Sequence, residues 1–393
     1  MTDIYKLLFL ISCIGAGRPR IWELARNFAS FDEMYDVLVS GNAGAYFTPA
    51  EINIASRTRQ EHIQAVVDYC RDHIIDMLTY DDSNYTEKLR RLSNPPALLF
   101  CRGNIDILRD DVILTVAGAR KISAYTQKAE AQLTAALVSG GITIASGFAA
   151  GADILANLTA VKNGGRTIAV LGCGIDYSYP PENMQYVDEI TANGVIISEY
   201  FPKTSAQRLN FVARNRILTA LSSGIAIMEA SEKSGSLNIA AQGINQGKDI
   251  WVMSVHDITD SRYSGGKELL RTGAVPIYDA EDIIGVYFNN KLPPEKARPS
   301  GAFAEKKAPV PKTKIEPVTV QKHTPSVLPE SMPELNEEEK NVYDILSKSD
   351  APLSAEDISE ITGTDVFHVL TVITDMELRG AVVSDDGQKY YLN

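Results

Sequence analysis

Between residues 112 and 138 the chain has little choice of fold. A run of β-branched and aliphatic residues, long enough for one buried strand at 112–117, stops at Gly118, and Ser123 is placed to cap a helix that continues to residue 138. A strand, a tight turn and a helix in this order aim main-chain N–H groups and the positive end of the helix dipole at one point, where Arg120 and Lys121 add full charges. That point suits a phosphate. With one glycine and no G-x-G-x-x-G spacing, the turn does not support an ordinary dinucleotide site.

The unit repeats. Strands are expected at 97–101, 113–117, 143–146, 167–171, 195–198, 225–229, 250–253 and 275–278, most of them separated by helical runs. This is the rhythm of an α/β, Rossmann-like, doubly wound domain with a mainly parallel sheet, and such sheets bind ligands at the carboxyl ends of their strands. The turns after the strands are therefore the informative stretches.

On either side the pattern changes. Residues 1–78 read as a helical, helix-hairpin-helix-like domain, with Gly15-Ala16-Gly17 between its first two helices. A Gly-x-Gly hairpin can offer N–H groups to a DNA phosphate, but few basic residues flank this one, which favours a plain helical turn. Residues 79–290 form the Rossmann-like domain. Residues 291–334 are rich in proline and lysine and read as an extended linker, with Lys306, Lys307, Lys312 and Lys314 in solvated positions. From 335 to 393 the order is helix 337–348, a helix capped by Ser354 with Asp357 three residues on, helix 365–379, and a hairpin turning at Asp386-Gly387. That is the order of a winged helix. Its third helix carries Asp365, His368, Asp375 and Glu377 with only Arg379 at its end, so it is expected to bind a partner or support a dimer rather than read DNA.

The 393 residues suffice for two or three domains, and 45% apolar with 22% charged residues is ordinary for a soluble protein. A net charge of −12 rules out a general electrostatic grip on nucleic acid, so any DNA binding must come from a local basic patch. Cys13, Cys70, Cys101 and Cys173 lack C-x-x-C spacing and the five histidines lie apart from them, which speaks against a disulfide framework or a metal site and suits a reducing cytoplasm. Leu10-Ile11-Ser12-Cys13 has the look of a lipoprotein cleavage site. The apolar run before it is about six residues, short of the roughly 7 to 15 of an export signal, and export is not expected.

Five strand-end clusters could carry the work: Gly118 with Arg120 and Lys121; Ser146, Gly147 and Gly151 with Asp153; the loop from Gly172 through Tyr177 and Tyr179 to Asn183; Arg214 and Arg216 beside Phe211; and Lys233, Ser234, Gly235 and Ser236. Each alone has a structural explanation. Together, phosphate-seeking turns and cations on one rim imply a site for more than one phosphate. No catalytic triad order, Cys/His pair, metal-ligand helix or Walker lysine is present, so no catalytic residue, metal or cofactor is expected. Phe148, Tyr177, Tyr179 and Phe211 could stack bases, which together with held phosphates describes sequence-independent binding of single-stranded nucleic acid.

At these residues the chain resembles the DNA-processing protein A (DprA, or Smf) family. The stretches GARKIS, SGFAAGADILAN, TIAVLGCGIDYSYPPEN, SEY, FVARNRI, EASEKSGSL and MSV follow the family's motifs in order and spacing, over about residues 81–284. The resemblance implies a cytoplasmic homodimer that binds single-stranded DNA in the Rossmann-like domain and helps load RecA recombinase onto DNA taken up in natural transformation. Its binding set here would be Gly118 and Arg120, the loop from Ser146 to Gly151, Arg214 and Arg216, and Ser234 to Ser236. Ala119, Asn157, Val212, Ile239, Ser254-Val255 and Lys267 depart from the pattern. One lost hydroxyl contact costs about 1 kcal/mol, so binding is expected to persist with altered strength. The competing expectation is a nucleotide sensor or nucleotide phosphoribohydrolase-like enzyme on a related sheet. It is weakened because EASEKSGSL stands where those enzymes carry P-G-G-x-G-T-x-x-E.

Overall fold

In the computed structural model the described residues are 3–40, 42–254, 257, 259–288, 337–349, 353–362, 369, 372–373, 376, 382–385 and 389–392. They fall into two units, divided between residues 306 and 307.

The first unit opens with five helices, α1 (Ile4–Ile14), α2 (Arg20–Ala25), α3 (Phe31–Val39), α4 (Pro49–Arg57) and α5 (Gln60–Asp72). Polar side chains start several of them. Asp3 caps α1, Ser30 caps α3, and Thr48 with Glu51 forms a capping box on α4, each satisfying N–H groups that the first turn leaves without partners. The helical pattern was expected to run to about Leu78, but the chain reverses at Ile74, whose φ is +54°, and Asp76–Thr79 is a strand, β1. Apolar residues at 74, 75, 77 and 78 fit a helix by spacing. The antiparallel pairing of β1 with β2 (Leu98–Gly103) overrides it. Between these strands lies α6 (Glu87–Arg90).

The remaining elements alternate: β3 (Ile113–Ala117), α7 (Ala124–Ser139), β4 (Thr143–Ser146), α8 (Ala152–Lys162), β5 (Thr167–Leu171), α9 (Val187–Ala192), β6 (Gly194–Ser198), α10 (Arg208–Leu221), β7 (Gly224–Ile227), α11 (Ser236–Asn245), β8 (Asp249–Met253), α12 (Ser264–Arg271), β9 (Val275–Ile277) and α13 (Glu281–Phe288). The sheet order is β1-β2-β6-β5-β4-β3-β7-β8-β9. From β6 to β9 every pairing is parallel, while β2 runs antiparallel to both its neighbours. This is the expected mainly parallel, doubly wound sheet. Its order of winding reverses between β3 and β7, and the carboxyl ends of those two strands open the crevice where such folds bind ligands.

The central strands are buried throughout, as expected for a sheet covered on both faces. The five front helices share one core with Leu98, Phe100, Ala169, Leu171 and Ile196 of the sheet. The Gly15-Ala16-Gly17 turn packs inward: a Cβ on Gly17, whose φ is +75°, would lie 3.2 Å from the Tyr200 hydroxyl and 3.3 Å from Glu199 Oε2. It is the plain helical turn of the two readings.

The second unit contains α14 (Glu337–Lys348), β10 (Leu353–Ser354), α15 (Ala355–Thr362), β11 (Val382–Asp385) and β12 (Lys389–Leu392), with the strands ordered β10-β12-β11. Ser354 and Asp357 exchange hydrogen bonds at the start of α15, as their spacing predicts. Val342, Leu346, Ile358, Val372, Ile373 and Tyr390 are among its buried core. The linker 291–334, the turn at Asp386-Gly387 and the side chains of Asp365, His368, Asp375, Glu377 and Arg379 lie outside the described residues.

Candidate nucleic-acid interface

Three turns at the switch between β3 and β7 are bound to one another through the main chain. Ala119 N donates to Glu229 O at 2.8 Å, and Ala152 N donates to Ala119 O at 3.2 Å. Gly118 has its open position filled by Ala152 and Glu229. Gly151, at φ +79°, lies so close to the carbonyls of Ala119 and Arg120 that a Cβ would fall onto them. Glycine is required at both places for the turns to close.

The expectation that the α7 N-terminus waits for a phosphate needs correcting. Glu229, 1% exposed, places its carboxylate there, accepting from Ser123 N at 2.9 Å and from Thr126 Oγ1 at 2.7 Å. The Tyr263 hydroxyl shares hydrogen bonds with the Ser123 and Thr126 hydroxyl groups. The protein itself supplies the anion that the helix end attracts. Arg120 and Lys121 remain exposed beyond it, with Arg120 Nη1 donating to the Tyr179 hydroxyl at 3.4 Å.

Beneath the next turn lies a buried charge pair. Arg214, 4% exposed, donates to Val170 O and faces Asp153, 6% exposed. Burial pushes the Asp153 carboxyl up to about 6 against the pull of Arg214, and it lowers Arg214 against the pull of Asp153. Gly147 rests on this pair: a Cβ there would stand 2.5 Å from Asp153 Oδ2 and 2.6 Å from Arg214 Nη1. Arg214 thus holds up the glycine turn and does not reach the rim. Arg216 turns elsewhere, to Glu199 at 2.7 Å, Asn94 O at 2.9 Å and Ala213 O at 3.1 Å. Burial pulls the Arg216 guanidinium down, and Glu199 outweighs it, leaving it raised. Two residues apart on α10 are separated by about 200° around the helix axis, so the pair diverges.

Other expected contacts also turn inward. The Ser146 hydroxyl donates to Val116 O at 2.6 Å and is buried. Phe148, at φ +58° and 1% exposed, is core, with Asn183 Nδ2 donating to its carbonyl. Ser236 is buried and shares a hydrogen bond with half-buried Ser234, whereas Lys233 and Gly235 are exposed. Tyr177 is exposed; Tyr179 is half-buried, with its ring 5.3 Å from that of half-buried Phe211.

The rim also contains groups that the motifs did not single out. Lys203, a non-glycine residue at φ +65°, donates its main-chain N–H to Asp176 Oδ1 at 2.6 Å and sets its ammonium 4.3 Å from the centre of the Tyr69 ring. Tyr69 on α5 donates its hydroxyl to Asp176 Oδ2 at 2.6 Å, which raises that hydroxyl to about 12. Arg208 stands exposed at the start of α10. The signal available in the sequence was their position after a strand end, between two motifs.

The family model described as "DNA recombination-mediator protein A" matches residues 76–287, the sheet and all its turns. The chain belongs to this family. A second model, "DprA winged helix domain", matches residues 327–388. Among relatives of this DNA recombination-mediator family, the DNA processing protein DprA of Bacillus subtilis is 34% identical over 216 residues, 54% of this chain and 71% of that protein. The X-ray structure of DNA processing protein A from Streptococcus pneumoniae superposes with a TM-score of 0.63 at 25% identity, over 73% of this chain and 98% of that one. DNA processing protein A from Helicobacter pylori, whose structure is described by its unique single-stranded DNA binding mode, gives a TM-score of 0.50 at 29% identity, over 55% and 98% of the two chains.

Proposed function

We propose that the carboxyl edge of the sheet in residues 79–290 binds single-stranded DNA without regard to sequence, protecting it and handing it to RecA recombinase in recombination and natural transformation. One observation carries this reading. In a family with a relative of described single-stranded DNA binding mode, an acidic chain exposes Arg120, Lys121 and Lys233 on the turns that follow β3 and β7. Gly118 shapes the first of these turns, Gly147 and Gly151 shape the turn after β4 that packs against it, and Arg214 acts from below by fixing Gly147. Lys203 and Arg208 extend the positive edge, and exposed Tyr177 offers a face to a base.

The role is one of binding rather than catalysis, in a cytoplasmic homodimer. Of the acids beside the rim turns, Asp153 and Glu229 are engaged by Arg214 and by the α7 N-terminus, and Asp176 by Tyr69 and the Lys203 main chain. No helix among the described residues is long and apolar enough to cross a membrane. The test is a titration of labelled single-stranded and double-stranded oligonucleotides of several sequences at two salt concentrations. The reading expects tighter binding of the single strand, little dependence on sequence and a steep salt dependence. Equal binding of duplex, or none of either, refutes it.

A further inference from the structure

Away from the rim, an open cavity of about 670 Å³ lies between α10, α11 and residues 88–94, and no residue of the rim turns lines it. Although the chain holds 50 acidic and 38 basic residues, the cavity is lined by Lys88, Arg91, Lys248 and Arg216 without a single carboxylate. Arg216 is balanced by Glu199. The other three form no ion pair among the described residues, and all three line the same cavity. Burial lowers the Lys88 ammonium and Lys248 lowers it further, against Asp110 and Asp111; burial and then Arg91 lower Lys248.

Helix capping accounts for only part of this. Lys248 Nζ donates to Ala220 O at the end of α10, and Lys88 Nζ donates to the main-chain carbonyls of Asp110 and Asp111. Those bonds take one and two of the three donors on each ammonium and offset only partial charge. Exposed Arg91 has no such role. In the same wall Gln242 gives its amide hydrogens to Val212 O and Asn238 Oδ1, which fixes the orientation of the amide, and its Oε1 is buried without a partner. Leu92, Val212 and Ala213 add apolar surface.

We propose that this cavity binds a small nucleoside phosphate, with the phosphate against Arg91, Lys88 and Lys248 and the nucleoside against the apolar surface of Leu92, Val212 and Ala213. The volume lies in the range of small-molecule sites and exceeds what a lone phosphate fills. This site goes beyond the DNA-binding reading and stands or falls separately from it.

Calorimetric titration of the full chain with ADP, inorganic phosphate and a 20-residue oligo-dT tests the proposal. ADP should bind saturably, at least tenfold more tightly than phosphate. Arg91→Gln, on an exposed side chain, and the double variant Arg91→Gln/Lys248→Gln should weaken ADP progressively, the latter at least tenfold, while Arg120→Ala leaves ADP within twofold. Thermal melting of each variant checks the fold. Absence of saturable ADP binding overturns the site, as does ADP binding that survives the double variant and disappears in Arg120→Ala. Phosphate binding as tight as ADP overturns the nucleoside part. A loss of oligo-dT affinity in the double variant, with ADP inert, assigns the cavity to the polymer instead and refutes the proposal.

Discussion

Arg120 and Arg214 belong to one motif set, yet the structure gives them opposite tasks, so replacing each by alanine should separate binding from stability. Arg120 is exposed, and on single strands one neutralised phosphate contributes about 0.7 to the slope of log affinity against log salt. Between 50 and 200 mM salt, a fourfold range, that single contact changes affinity by a factor of about 2.6. Arg120→Ala should therefore flatten the slope by about 0.7 for every strand sequence, with little change in melting temperature. Arg214→Ala leaves buried Asp153 without its counter-charge and Val170 O without its partner. Breaking such a pair costs about 3–5 kcal/mol, which at about 2–4 °C per kcal/mol lowers the melting temperature on the order of 10 °C. Its salt slope should hold. Fluorescence anisotropy with labelled oligo-dT across the salt series, beside thermal melts, measures both. An Arg214→Ala protein that melts normally and loses slope like Arg120→Ala would refute the burial argument, and an unchanged slope in Arg120→Ala would remove the rim from consideration.

Three further outcomes are expected. Asp153 sits near 6, above its ordinary 3.8, so its contribution is fully favourable below pH 3.8 and is lost as pH rises through 6, at about 3 kcal/mol for about two units; Asp153→Asn should flatten that part of the melting profile between pH 4 and 7. Glu130 is fully buried in α7 with neither carboxylate oxygen bonded, and burial, then Asp153 and Glu229, raise it well above the usual range; Glu130→Met should raise stability by about 1–3 kcal/mol, read by urea denaturation, and a loss instead would show an unseen partner. Gly151→Ala forces a Cβ onto the carbonyls of Ala119 and Arg120, so it should cost about 1–3 kcal/mol and weaken single-strand binding, whereas wild-type melting and affinity would show the turns to be independent.

Much of the sheet could be read from the sequence because buried parallel strands are short apolar runs bounded by glycine or polar residues. The expected bounds at 113–117, 143–146 and 167–171 are those observed. β1 was hidden because its neighbours Ile74 and Ile75 complete a helical spacing, and only pairing with β2 decides the matter. The candidate site was legible as a set of turns but not as a set of side-chain directions. Glu229 reaching across to cap α7 is a contact over 106 residues, and nothing local announces it. The divergence of Arg214 and Arg216 follows from helical phase once residues 208–221 are known to be helix. Their separate partners, Val170 and Glu199, come only from the packed structure.

The crimping of Gly118, Ala119, Gly151 and Glu229 into one knot has an energetic corollary. Loops stitched to each other beforehand lose no freedom when cargo arrives, so the ordering penalty of association falls on the flexible polymer alone. Whatever small difference remains between self-stacked purine tracts and loose pyrimidine tracts should then come from the stiffness of the captured strand and not from the protein.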